Sequence, residues 1–153
     1  MTEVSVERTI AAKPEDIYAL VSALTRMGEW SPEATGGTWL KPSTGPEVGA
    51  KFLGENSTGG QRWKTLATVT EAQVGKRFVF RISAHGLKIS DWSYEIVDQG
   101  DGHCKVIEHW VDRRNPMMRL GSRLLTKVGD RKSFNAKNME ATLAAIEASL
   151  SAE

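Results

Sequence analysis

Between Ala34 and Asp112 the chain keeps returning to a period of two, and on either side of that block it keeps a period near 3.6. Alternation of that kind marks half-buried strands, and the flanking spacing marks amphipathic helices. Few folds are built in the order helix, many strands, helix, so this switch constrains the chain more than its composition does. Within the block, Thr38-Trp39-Leu40 is a short run that stops before Pro42, and Lys51 to Asn56 is the next. Ser57-Thr58-Gly59-Gly60 is a strong hairpin signal. Beyond it Trp63, Thr65, Ala67 and Val69 share a face, as do Phe78, Phe80 and Ile82, then Trp92, Tyr94 and Ile96, then Val106, Glu108 and Trp110. The linking segments are short, which favours an antiparallel meander.

Before the block, Val4 to Ile10 alternates as one more strand. Pro14 suits a first helical turn, Glu15 and Asp16 suit its positive end, and Ile17, Leu20, Val21 and Leu24 form an apolar stripe. Thr25 to Trp30 reads as a second short helix, stopped by Ser31-Pro32. After the block, Asn115-Pro116 closes the strands, and one long helix is expected from Met117 to about Ser149, weakened at Gly121 and Gly129. The class is therefore α+β, with residues 1–153 expected to form one domain.

At 153 residues a chain buries roughly 70% of its unfolded surface and needs no metal or disulfide staple. Its 40% apolar and 25% charged residues are those of a globular protein. A net charge of +1 argues against a dedicated nucleic-acid binder. The lone cysteine, Cys104, fits a reducing compartment. Neither a signal peptide nor an 18-residue apolar span is present, so a cytoplasmic location is the expectation. Monomer and dimer are equally open.

Five stretches, in order, carry a likeness: Pro14-Glu15-Asp16-Ile17-Tyr18; Met27-Gly28-Glu29-Trp30-Ser31-Pro32-Glu33; Val48 to Phe52 with Gly54-Glu55-Asn56; Trp92-Ser93-Tyr94-Glu95; and Phe134-Asn135 to Leu143. Together they resemble the START-like, birch-pollen-allergen-like superfamily, in particular its polyketide cyclase/dehydrase (SRPBCC-type) branch of small bacterial proteins. The resemblance implies a helix-grip fold, a curved antiparallel sheet of six to seven strands around a long C-terminal helix. It also implies a cavity between the two for a lipid, a polyketide or a similar apolar guest. Binding or carriage is the function it implies first, and cyclisation or dehydration the alternative. Function carried over from a fold is analogy.

If the alternating faces point inward, Phe52, Trp63, Phe78 and Phe80 converge with Trp92, Tyr94 and Trp110 beneath the last helix. Trp30 and Trp39 belong near the mouth, and Met117, Met118, Leu124 and Leu125 on the helical wall. Such surfaces, with a few polar groups, make sites for small apolar ligands. The competing reading is a filled core. Asn56, Tyr94 and Glu108 are the polar candidates on these faces. An inward Glu108 is desolvated and becomes the candidate acid–base group. Pairing with a basic side chain, or a bulge that turns it outward and His109 inward, would remove that role.

No zinc spacing links His85, His103, Cys104 and His109, and neither a Gly-x-Ser-x-Gly elbow nor a Walker or dinucleotide pattern occurs. Neither metal nor cofactor is expected. Arg119, Arg123, Lys127 and Arg131 step by four and predict a basic stripe along the long helix. Like charges at that spacing repel mildly. The stripe is either a solvated face or, beside Met117, Met118 and Leu120, a contact for an anionic membrane or partner.

Overall fold

The computed structural model describes residues 2–152. Strand β1 (Glu3–Ile10) leads into helix α1 (Pro14–Val21), a 3-10 turn (Leu24–Glu29) and strand β2 (Ala34–Trp39). Strands β3 (Lys51–Thr58), β4 (Gln61–Gln73), β5 (Arg77–Ala84), β6 (Leu87–Asp98) and β7 (Cys104–Asp112) follow. Helices α2 (Pro116–Thr126) and α3 (Arg131–Ser151) end the chain. The seven strands form one antiparallel sheet in the order β1-β7-β6-β5-β4-β3-β2, so the chain's first strand lies beside its last. This is the helix-grip arrangement.

Local chemistry explains the joints. Gly59 and Gly60, at φ 55° and 84°, make the two-residue turn between β3 and β4, with Thr58 opposite Gln61. Two consecutive positive φ values suit the right-handed strand twist and favour glycine. Gly37 is held by a different constraint. A Cβ there would collide with the Leu53 carbonyl oxygen on the paired strand and sit 2.7 Å from the Phe52 ring, which meets Trp39 edge-on at 5.2 Å.

The concave face carries the core. Phe78, Val69, Val106 and Ile17 are fully buried where α1 closes one end of the sheet, with Tyr18 edge-on to Phe78 at 6.0 Å. Helix α3 turns Met139, Leu143 and Ile146 onto the sheet, and its Glu147 pairs with Arg8 of β1 at 2.9 Å. At i, i+4 and i+7 these apolar positions are one helical face.

Two expectations change. The helical stripe of Ile17 to Leu24 stops at Val21, and Leu24 already belongs to the 3-10 turn. More consequentially, the single long C-terminal helix is two. Lys127 adopts the left-handed conformation (φ 62°) and its N–H bonds to the Arg123 carbonyl, ending α2. Val128 is buried, Gly129 follows, and the Asp130 side chain accepts from the Ser133 N–H at 3.2 Å to start α3. A left-handed cap and a new N-cap within four residues stop one helix and begin another.

Candidate functional site

Between the concave face, α2 and α3 lies a cavity of about 420 Å³. Phe52, Trp63, Phe80, Trp92 and Trp110 line it from the sheet, and Met118 and Leu125 from α2. Trp92 and Trp110 are register partners on β6 and β7, with ring centroids 6.4 Å apart. Asn56 is also in the wall, where its amide donates to Thr65 Oγ1 at 3.1 Å.

Five aromatic or apolar side chains expected around the cavity lie elsewhere. Phe78 is sealed between Tyr18 and Phe80 because α1 covers that end of the sheet. Trp30 is packed into the core under the Arg26 guanidinium, and Trp39 lies edge-on to Phe52. Met117 and Leu124 point to solvent, 83% and 70% exposed. On α2 the face toward the cavity is Met118, Gly121, Ser122 and Leu125, so residues a quarter-turn away miss it.

Tyr94 and Glu108 form the polar heart of the site. They face each other across the β6–β7 ladder, in an unbroken register that also sets Val6 opposite Glu108. The neighbouring His109 therefore points to the outer face and meets Glu3 at 3.1 Å. Glu108 is 1% exposed, no basic side chain pairs with it among the described residues, and its Oε2 has no protein partner. Burial pushes its carboxyl up to about 8, while the hydrogen bond from the Tyr94 hydroxyl works the other way. Burial, with Glu108 beside it, holds the Tyr94 phenol well above its ordinary value. Below about pH 8 the pair is mainly a protonated acid beside a phenol, a proton and hydrogen-bond donor.

The cavity walls (Glu33, Arg114, Arg131) and the residues behind them also hold charges that the sequence did not reveal as part of a site. Arg131 Nη1 lies 2.9 Å from both carboxylate oxygens of Glu33, which also accepts from Thr58 Oγ1 at 2.7 Å. The guanidinium sits over Trp63 and Phe134, at 5.7 and 5.3 Å. Asp112, almost fully buried, takes Arg114 through Oδ1 and Oδ2, both at 2.9 Å, and Arg119 at 3.5 Å. Arg114 also donates to Ser122 Oγ at 3.0 Å and so ties the end of β7 to α2. The expected continuous basic stripe does not exist: the helix breaks at Lys127, Arg131 is committed to Glu33, and Arg119 leans on Asp112. Asn135, Asn138 and Thr142 were also missed, although polar residues at i, i+3 and i+7 on the apolar face of α3 were a readable signal.

Sheet, helices and cavity together define a START-like helix-grip domain. Over residues 1–150 the chain matches the family described as "Polyketide cyclase / dehydrase and lipid transport", and it belongs to that family. Among solved structures, a START superfamily protein from Mycobacterium smegmatis superposes with a TM-score of 0.68 at 18% identity, covering 95% of this chain and 94% of that one. The di-domain ARO/CYC protein StfQ of the steffimycin biosynthetic pathway gives 0.70 at 13% identity, covering 95% of this chain and 49% of StfQ. A polyketide-cyclase-like protein from Corynebacterium glutamicum gives 0.53 at 28% identity, covering 98% and 87%. No curated protein matches the sequence significantly. No helix among the described residues is long and apolar enough to cross a membrane.

Proposed function

We propose that this chain binds or carries a small, largely apolar ligand, within the cytoplasm. The observation that supports it is the cavity itself: about 420 Å³ lined mostly by apolar and aromatic surface, within the size range of small-molecule sites. Trp63, Trp92 and Trp110 supply the affinity, and Tyr94, Glu108 and Asn56 orient the guest. Native mass spectrometry of the purified protein tests this. A defined adduct is expected, retained by the wild type and lost by Trp92→Ala and Trp63→Ala variants whose circular dichroism is unchanged. A bare mass, with no thermal stabilisation by any member of a lipid and polyketide panel, overturns it.

The Tyr94–Glu108 pair also supports the alternative of a cyclase or dehydrase, since a protonated acid beside a phenol can polarise a carbonyl. Turnover of a polyketide chain that disappears in Glu108→Gln, with binding intact, would establish that alternative over carriage.

A third reading, contact with an anionic membrane, is favoured by α2. Its apolar arc is wider than the cavity can cover, leaving Met117, Leu120 and Leu124 in solvent, 61–83% exposed. Arg119, Arg123 and Lys127 flank them, and residues 113–129 contain no acid. Apolar side chains edged by basic ones suit the interface of an anionic bilayer. Vesicles containing phosphatidylglycerol should sediment the protein at low salt, and pure phosphatidylcholine should not. Leu120→Ser with Leu124→Ser should abolish sedimentation, and Arg123→Glu should weaken it. Absence of sedimentation at low salt removes this reading.

A further inference from the structure

The ligand-binding reading leaves the class of ligand open, and the polar groups of the cavity narrow it. Most are already satisfied by the protein. Arg114 is taken by Asp112 and Ser122, Arg131 by Glu33, one amide N–H of Asn56 by Thr65, and the Thr142 hydroxyl donates to the Asn138 carbonyl at 2.8 Å. Among the buried groups Glu108 is the exception. Its Oε2 is the one buried side-chain oxygen among the described residues without a partner, and Glu108 stands in the cavity wall.

The surroundings fix its protonation state. Val6 faces it from β1 and Tyr94 from β6, while Val106 and Trp110 flank it along β7. The side chains α3 buries toward the sheet, Met139, Thr142, Leu143 and Ile146, carry no charge. The charged residue further along its own strand face, Asp112, is paired with Arg114 and Arg119. A carboxylate with no cation and no water-like surroundings is too costly to keep ionised, so the group holds its proton. One oxygen accepts from Tyr94, which leaves the carboxyl O–H as the donor without an acceptor.

Resting on the binding reading above, we propose that the cavity selects an uncharged, flat apolar molecule bearing a carbonyl oxygen, which accepts the Glu108 proton donor while the rings lie against Trp92 and Trp110. An ammonium group would need an ionised Glu108 with nothing else to stabilise it. A carboxylate would find both arginines of the wall already paired and the remaining lysine, Lys64, 3.9 Å from Glu55, and it would meet the Glu33 and Glu55 carboxylates in the same wall. A hydrocarbon would leave the donor unsatisfied, which is where discrimination arises.

Four probes with one skeleton test this on the intact protein: 9-fluorenone, fluorene, 9-(aminomethyl)fluorene and fluorene-9-carboxylate. Affinities come from displacement of N-phenyl-1-naphthylamine, an uncharged dye whose fluorescence reports an apolar site whatever its polar groups. Fluorenone is expected to bind about tenfold more tightly than fluorene, the value of one well-placed hydrogen bond. Glu108→Gln, which keeps a donor, should retain the preference, and Glu108→Met, of similar volume and without a donor, should lose it. Above about pH 8 the wild-type preference should fade as the proton leaves, while that of Glu108→Gln persists. If the dye binds and fluorenone gains nothing over fluorene, or either charged probe binds best, the inference is overturned and the binding reading stands. Should the dye and all four probes be excluded, both fall together.

Discussion

Replacing Glu108 by glutamine is expected to leave the protein nearly unchanged in stability at pH 5 and to raise its melting temperature by roughly 5–10 °C at pH 9. The carboxyl titrates near 4.5 when solvated and near 8 in the fold. Between those values the folded state holds a proton that the unfolded state has released, so stability falls as pH rises. The loss begins near pH 4.5, is complete just above pH 8, and amounts to something on the order of 4 kcal/mol. Glutamine has no proton to lose and escapes it. Its amide adds a second donor in an apolar place, which costs about 1 kcal/mol and sets the small deficit at pH 5. Thermal melts of the two proteins from pH 5 to 9 measure the divergence. Parallel curves would mean that Glu108 ionises normally in the fold.

Asp112→Ala is expected to cost about 3–5 kcal/mol, read from chemical denaturation at pH 7. The carboxylate is 4% exposed and accepts three hydrogen bonds from Arg114, two from its guanidinium and one from its backbone N–H. Removal strands a guanidinium that is itself 9% exposed and borders the cavity. That stranded charge, more than the lost attraction, sets the size of the effect. Arg114→Met with Asp112→Leu should recover much of the stability, because a pair of apolar residues leaves nothing unpaired. If the single variant matches the wild type, the pair is solvated and contributes as little as a surface ion pair.

The sheet was legible because it obeys a period that only a half-buried strand produces. Alternation set Trp63, Phe80, Trp92, Tyr94 and Trp110 on shared faces, the family resemblance put a cavity there, and in the structure they line it together with Phe52. Glu108 was legible as an inward carboxyl by the same count, yet its protonation depended on what stood opposite, and Val6 comes from a strand a hundred residues away. Phe78 obeys the alternation too, but α1 fills the space beside it, and periodicity identifies a face without saying what covers it. The C-terminal error has a different origin. Arg119, Arg123, Lys127 and Arg131 fit a helical step, and a step of four says nothing of a left-handed residue in the middle. The Asp130-to-Ser133 cap was in the sequence, hidden by the stronger rhythm around it. Arg131 with Glu33 was out of reach, since the two sides of that pair lie 98 residues apart.

The seating of β1 beside β7 has a consequence in time. Strands β3 to β7 join their neighbours through short turns, β2 reaches β3 through residues 40–50, and all of these pair locally, whereas Glu3 must find Val111 and Arg8 must find Glu147. Closing such long loops is slow, and it comes after the local pairings are in place. Val6, which faces Glu108, arrives with that last strand, and α3, which roofs the cavity, docks on it. The hollow is thus finished late, after most of the sheet already exists. A guest held there stabilises only what forms beyond the barrier, so it should prolong the life of the folded chain and leave the speed of folding unaltered.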